Sequence, residues 1–146
     1  MREPEQCLGV KGKIIMTEKQ NLAVELKNRT GDAHYNCCQA VACVFANEVG
    51  LNDDVLKKIG AGFGLGMGCM EGTCGALCGA EMILGLKKYS GKPIRNDAAE
   101  LHKKFTAKCG GSICKVIKGV ETKKVLCSCD DCVSNAVEIL ENEIML

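Results

Sequence analysis

The sequence has no tryptophan and only two tyrosines and three phenylalanines among 146 residues. With so few rings, a core has to be built from Ala, Val, Ile, Leu, Met and Cys. Proline is nearly absent, at two residues. Neither charge sign dominates: the formal charge is +1, which removes a strong pull toward nucleic acid or anionic lipid. No apolar run approaches the roughly 18 to 20 residues that span a bilayer. The first sixteen residues, MREPEQCLGVKGKIIM, hold no apolar stretch of secretory type, so a cytoplasmic, thiol-reducing setting is expected.

Several chemistries lack their signatures. There is no G-x-x-x-x-G-K-[ST] loop, and the glycines near GAGFGLG follow no strand. No Ser-His-Asp or Cys-His arrangement stands out. Covalent haem needs C-x-x-C-H, and Cys129-Asp130-Asp131-Cys132 is followed by Val133. His34 and His102 are the only imidazoles, and both read as surface residues, so no haem is expected.

What the chain has is length for one domain and ordinary globular hydrophobicity, at 47% apolar. Residues 17–29 read as a helix, with Thr17 and Gln20 forming a capping box. Asn36 caps a helix over about 37–49 that stops at Gly50. Asn52 caps a short helix with Asp53 and Asp54 in its first turn. A glycine-rich stretch over 60–72 follows. Thr73 is expected to cap the helix from Cys74 to about Ser90, and Asn96 the one ended by Gly110-Gly111. Ser112 opens a short helical turn, and 119–128 is a basic loop. Asp130 or Asp131 caps the last helix, whose apolar face is Val133, Ala136, Val137, Leu140 and Ile144, joined by Cys132. No stretch alternates with period two. The expected fold is therefore all-α: one helical bundle of about five to six helices with a Gly/Cys-rich loop, over 17–146, after a loose segment 1–16.

The outlier is twelve cysteines. Without a secretory signal, that number points to metal binding or thiol chemistry rather than a disulfide framework. Some of these residues also serve as small buried hydrophobes. Three helices are expected to begin with cysteine, at Cys37, Cys74 and Cys132. A helix start carries about half a positive charge and free N–H donors, which favour the thiolate. Cys74 and Cys78 share one helix face, and Cys69 sits in the glycine loop before them. Cys127, Cys129 and Cys132 form C-x-C-x-x-C, spaced for metal ligation or for a dithiol at a helix start. Cys69, Cys78, Cys127 and Cys129 are thus auxiliary candidates. Glu81, on the Cys74 face, is either a site group or a half-exposed carboxylate. Lys115, Lys118, Lys123 and Lys124 either stabilise thiolates, dock an acidic partner or form a solvated loop. The small patch Gly75, Ala76, Gly79 and Ala80 suits tight helix packing or a homodimer contact.

GTCGALCGAEMILGL, with NCCQAV upstream, SICKVIKG downstream and CDDCVSNA near the end, resembles the C_GCAxxG_C_C family of redox-active proteins over roughly residues 30–142. Such a domain also looks similar to the non-haem part of split-Soret cytochromes. The resemblance implies that Cys37, Cys74, Cys114 and Cys132 are the signature cysteines. They would be the ligands of an iron–sulfur cluster that exchanges electrons with a redox partner protein. Zinc fits the same ligand count but not the redox label. The alternative is a metal-free thiol–disulfide oxidoreductase or sensor that cycles Cys129 with Cys132, or Cys74 with Cys114.

Overall fold

Two capping boxes set the start of the bundle. The structure, a computed structural model, describes residues 15–144, so Cys7 and nearly all of the expected loose segment lie outside the described residues. The Thr17 side chain accepts from the Gln20 N–H, and the Thr17 N–H donates to Gln20 Oε1 at 2.8 Å. Asn36 and Gln39 repeat the arrangement at the head of the next helix. The helices are α1 (Glu18–Lys27), α2 (Cys37–Cys43), a short α3 (Ala46–Val49), α4 (Asp53–Gly60), α5 (Gly75–Lys88), α6 (Arg95–Cys109), a short α7 (Cys114–Ile117) and α8 (Cys129–Ile144). Six of them have seven residues or more, and the described residues contain no strand. The expected all-α architecture is what forms.

Helix α8 is the centre. It packs on α1, α5 and α6 and touches α2, while α2 lies mainly against α5. Its expected apolar face is fully buried at Cys132, Val133, Ala136, Val137 and Leu140. Phe45 and Phe105 are also fully buried, and truncating either to alanine costs about 3–5 kcal/mol. Gln20 is the polar tie between α1 and α8: its buried amide donates to Ser134 O at 3.2 Å and Ser134 Oγ at 3.0 Å. Lys27 and Asp130 pair at 2.7 Å and fasten the end of α1 to the start of α8.

The small-residue patch is used inside the chain. A Cβ on Gly79 would lie 2.6 Å from the Cys38 carbonyl oxygen, so α2 and α5 approach at backbone distance. Tight helix packing, one of the two expected uses of the patch, is what Gly79 makes within the chain.

Four boundaries depart from expectation. The helix predicted over 37–49 breaks between Cys43 and Ala46, because Phe45 leaves helical geometry. Cys74, not Thr73, is the residue before α5, and Thr73 instead bridges to Ile113. Helix α6 starts at Arg95, one residue before its expected Asn96 cap. Helix α8 starts at Cys129 because Ser128, not an aspartate, caps it: Ser128 Oγ accepts from the Asp131 N–H at 3.1 Å. Cys129 therefore lies in the first turn, and Asp130 and Asp131 stand between it and Cys132.

Candidate metal centre

The ends of four segments meet at one place in the bundle. Helix α6 delivers Cys109 as its last residue, and the turn before α8 delivers Cys127. Helix α8 presents Cys129 and Cys132 one turn apart. Cys74 leads into α5, and Cys37 opens α2.

Cys109, Cys127 and Cys132 form the tightest group. Their three Sγ atoms lie within 4.8 Å of one another, and all three residues are buried. Asn135, one turn beyond Cys132 in α8, is itself buried and aims its amide at the group. Its Nδ2 donates to Cys109 Sγ at 3.5 Å and to Cys127 Sγ at 3.8 Å. Cys74 stands beside Cys132 from the α5 side, near enough for Cys132 and burial to push its thiol up. A second contact lies beside the first, where the Cys37 thiol meets the Cys129 thiol.

The charge pattern follows from these contacts. Hydrogen bonds from Cys127, Cys132 and Asn135 pull the Cys109 thiol down to about 5, against its burial. The same contact with Cys109 pushes Cys127 far up. The contact with Cys37 and the nearby Lys118 ammonium pull Cys129 down to about 5, and Cys37 goes up in return. In each group one thiol is drawn toward the thiolate, Cys109 in the first and Cys129 in the second. Burial would lower Lys118, but the electrostatic influence of Cys132 and the hydrogen bond to Cys129 hold it above its ordinary value. Its Nζ also donates to the Cys127 carbonyl at 3.4 Å. The expected solvated basic loop is therefore broken at Lys118, which faces the thiols.

Cys114 is set back. It is buried and feels the charges of Cys74, Cys129 and Cys132. A backbone bridge fixes it relative to Cys74: Cys74 N–H donates to Ser112 O at 2.7 Å, and Cys114 N–H donates to Gly72 O at 3.0 Å. Of the four signature positions, Cys74 and Cys132 stand side by side. Cys37 stands beside Cys129 instead, and Cys114 is buried apart from both pairs, its thiol pushed up by burial and then by Cys74. Among the auxiliary candidates, Cys127 and Cys129 belong to the assembly. Cys69 is exposed in the glycine turn, with its thiol on the Gly66 carbonyl at 3.7 Å. Cys78 points to the Thr73 carbonyl at 3.9 Å. Neither pairing expected for a dithiol, Cys129 with Cys132 or Cys74 with Cys114, is the thiol contact that forms.

Sequence reasoning missed Cys109 and Asn135, and it left open which of the four lysines faces the thiols. A signal existed for the first. Cys109 directly precedes the Gly110-Gly111 stop and stands in C-x-x-x-x-C spacing with Cys114. Asn135 carried no sequence signal beyond standing one turn after Cys132 on the buried face.

The donor set fits a thiophilic metal. Bonds of about 2.3 Å from one tetrahedral ion place its sulfur ligands roughly 3.8 Å apart. Three thiols within 4.8 Å, one of them drawn toward the thiolate and with Cys74 beside them, need little rearrangement to close on such an ion. No helix among the described residues is long and apolar enough to cross a membrane. Comparisons with curated proteins and with solved structures find no match. The family model described as "Putative redox-active protein (C_GCAxxG_C_C)" matches residues 35–143, which take in every cysteine of this assembly, and the chain belongs to that family.

Proposed function

We propose that the protein carries electrons through iron held by cysteine sulfur, with Cys109, Cys127 and Cys132 as ligands and Cys74 as the fourth. The observation that carries this reading is the buried trio of Sγ atoms within 4.8 Å. Iron so held would supply a one-electron couple, which zinc does not. The chain's own part is to hold the sulfurs, exclude water and set their charge. Asn135 donates to two of the sulfurs, and Lys118 places a positive charge beside the group. Both favour the more negative, reduced state. The electron partner is another redox protein in the cytoplasm, and the position of Cys37 and Cys129 at the half-exposed edge of the assembly supports entry there.

Anaerobic purification followed by iron, zinc and labile-sulfide analysis, with an absorption spectrum, tests the proposal. Iron without sulfide identifies a single iron ion, and iron with sulfide identifies a cluster. Either result, with a reversible change of the spectrum on reduction, supports the reading. A colourless protein that holds zinc, or no metal, overturns it.

The Cys37–Cys129 contact favours a second, compatible chemistry. The Cys129 thiolate attacks a disulfide of a partner protein and releases one partner thiol. Cys37 then attacks the mixed disulfide, releases the second thiol and closes Cys37–Cys129. Two electrons and the Cys37 proton pass to the partner, whose second thiolate takes its proton from solvent, and the pair is oxidised. Thiol trapping before and after mild reductant reads this directly.

A further inference from the structure

Three sulfurs outside the assembly form a second group. Cys38, next to Cys37 but on the buried side of α2, has its Sγ 3.4 Å from the Met82 Sδ on α5. Cys78 stands one turn before Met82 on the same face of α5, with its thiol on the Thr73 carbonyl at 3.9 Å. Cys38 is fully buried, whereas Cys78 and Met82 are partly exposed. Both of these line the wall of a groove of about 430 Å³ that also touches Phe63, Glu81 and His102. Cys78 and Met82 therefore face the groove, and Cys38 lies buried behind Met82.

We propose that Cys38, Cys78 and Met82 form a binding site for a soft monovalent cation of the copper(I) or silver(I) type, separate from the iron centre. The donor set carries the argument. Two thiols and a thioether are soft ligands, and a thioether is a poor partner for magnesium, calcium or manganese. Two thiolates and one neutral sulfur also suit a three-coordinate ion of single charge. Metal–sulfur bonds of about 2.3 Å put trigonal ligands roughly 4 Å apart, so the Cys38–Met82 pair opens by about half an ångström. Met82 has three rotatable bonds and can make that adjustment. Binding converts two thiols to thiolates and releases two protons, leaving a complex of net charge −1 with no change in oxidation state.

The test uses the full chain labelled with carbon-13-methyl methionine and titrated with silver(I) nitrate, which is diamagnetic. Other thiols in the protein also take up silver, so the methionine methyl is the readout. Of the six methionines, the one assigned by loss of its peak in Met82→Leu is expected to shift on titration. The shift is expected to vanish in Cys38→Ala and to persist in Cys109→Ala, which separates this site from the iron centre. Cys78→Ala, at a half-exposed position, gives the same test if Cys38→Ala does not fold. A Met82 methyl that stays in place until all thiols are saturated overturns the proposal. A shift that survives loss of Cys78 or Cys38 does the same.

Discussion

Gly66 lies directly over Cys114: a Cβ on the glycine would stand 2.5 Å from the cysteine's Cβ, and the glycine's φ is +58°. The loop that carries Gly66 closes on the Thr73–Ile113 bridge, so the glycine-rich stretch holds the backbone joining Cys74 to Cys114. Gly66→Ala meets both a contact too short for any real Cβ and an unfavourable backbone conformation. Gly68 has φ +82° but nothing within 4 Å of its Cβ position. Gly68→Ala should therefore lose only the backbone component, about 1 kcal/mol, and Gly66→Ala distinctly more. Denaturant unfolding of the two variants checks this, and equal losses would contradict it.

Lys118 controls the reactivity of Cys129. Contact with Cys37 and then the Lys118 ammonium keep the Cys129 thiol down to about 5, so it is a thiolate at neutral pH. Lys118→Met removes the positive charge, and the alkylation rate of Cys129 near pH 6 should fall several-fold as its titration moves upward. Lys118→Arg should restore most of the rate. A pH profile of iodoacetamide labelling, followed by mass spectrometry of the Cys129 peptide, reads the shift. A variant that merely loosened the loop would expose Cys129 and speed labelling instead.

Glu81 makes stability depend on pH. Burial raises its carboxyl to about 7, from an ordinary value of 4.5. The folded state therefore prefers the protonated acid, and the wild type loses stability as pH rises from about 4.5 through 7. Glu81→Gln carries no such cost. It should match the wild type near pH 4 and exceed it above pH 7, by on the order of 1 kcal/mol once solvent screening of a partly exposed group is allowed for. Thermal unfolding at pH 4.5 and pH 8 gives the comparison. A variant equally stable relative to wild type at both values would refute it.

The helices were legible in the sequence because their signals are local. Thr17 with Gln20, Asn36 with Gln39, and the buried stripe of α8 are each written within a few residues. Boundaries failed where a distant partner took over. Thr73 is drawn into a bridge with Ile113, and no residue near Thr73 announces that pairing. The site was half legible for the same reason. Cysteine density and helix starts pointed to Cys37, Cys74, Cys127, Cys129 and Cys132, which divide between two neighbouring groups. Which thiol touches which depends on how α2, α5, α6 and α8 cross, and spacing along the chain does not encode that. Cys109 was hidden because it ends a helix, where the dipole does not favour a thiolate; its low value comes from Cys127, Cys132 and Asn135 across the interface.

Asn135 tests whether the trio works as a ligand set. Its amide donates to two of the three sulfurs, and it is 1% exposed. Groups that hydrogen-bond to ligands typically account for 10–100-fold in metal affinity. Asn135→Ala should retain less metal by a factor in that range, and the Cys109 thiol should titrate higher, since one of the bonds that lowers it is gone. The amide also fills space, so a loss of packing has to be separated from a loss of donation. Asn135→Leu keeps the same branched heavy-atom shape and fills the space without the N–H, and it should lose affinity to a similar degree. Chelator competition on both variants, alongside their melting temperatures, distinguishes the two effects. If Asn135→Leu bound metal as the wild type does while Asn135→Ala did not, the residue would act by filling space and not by donating to sulfur.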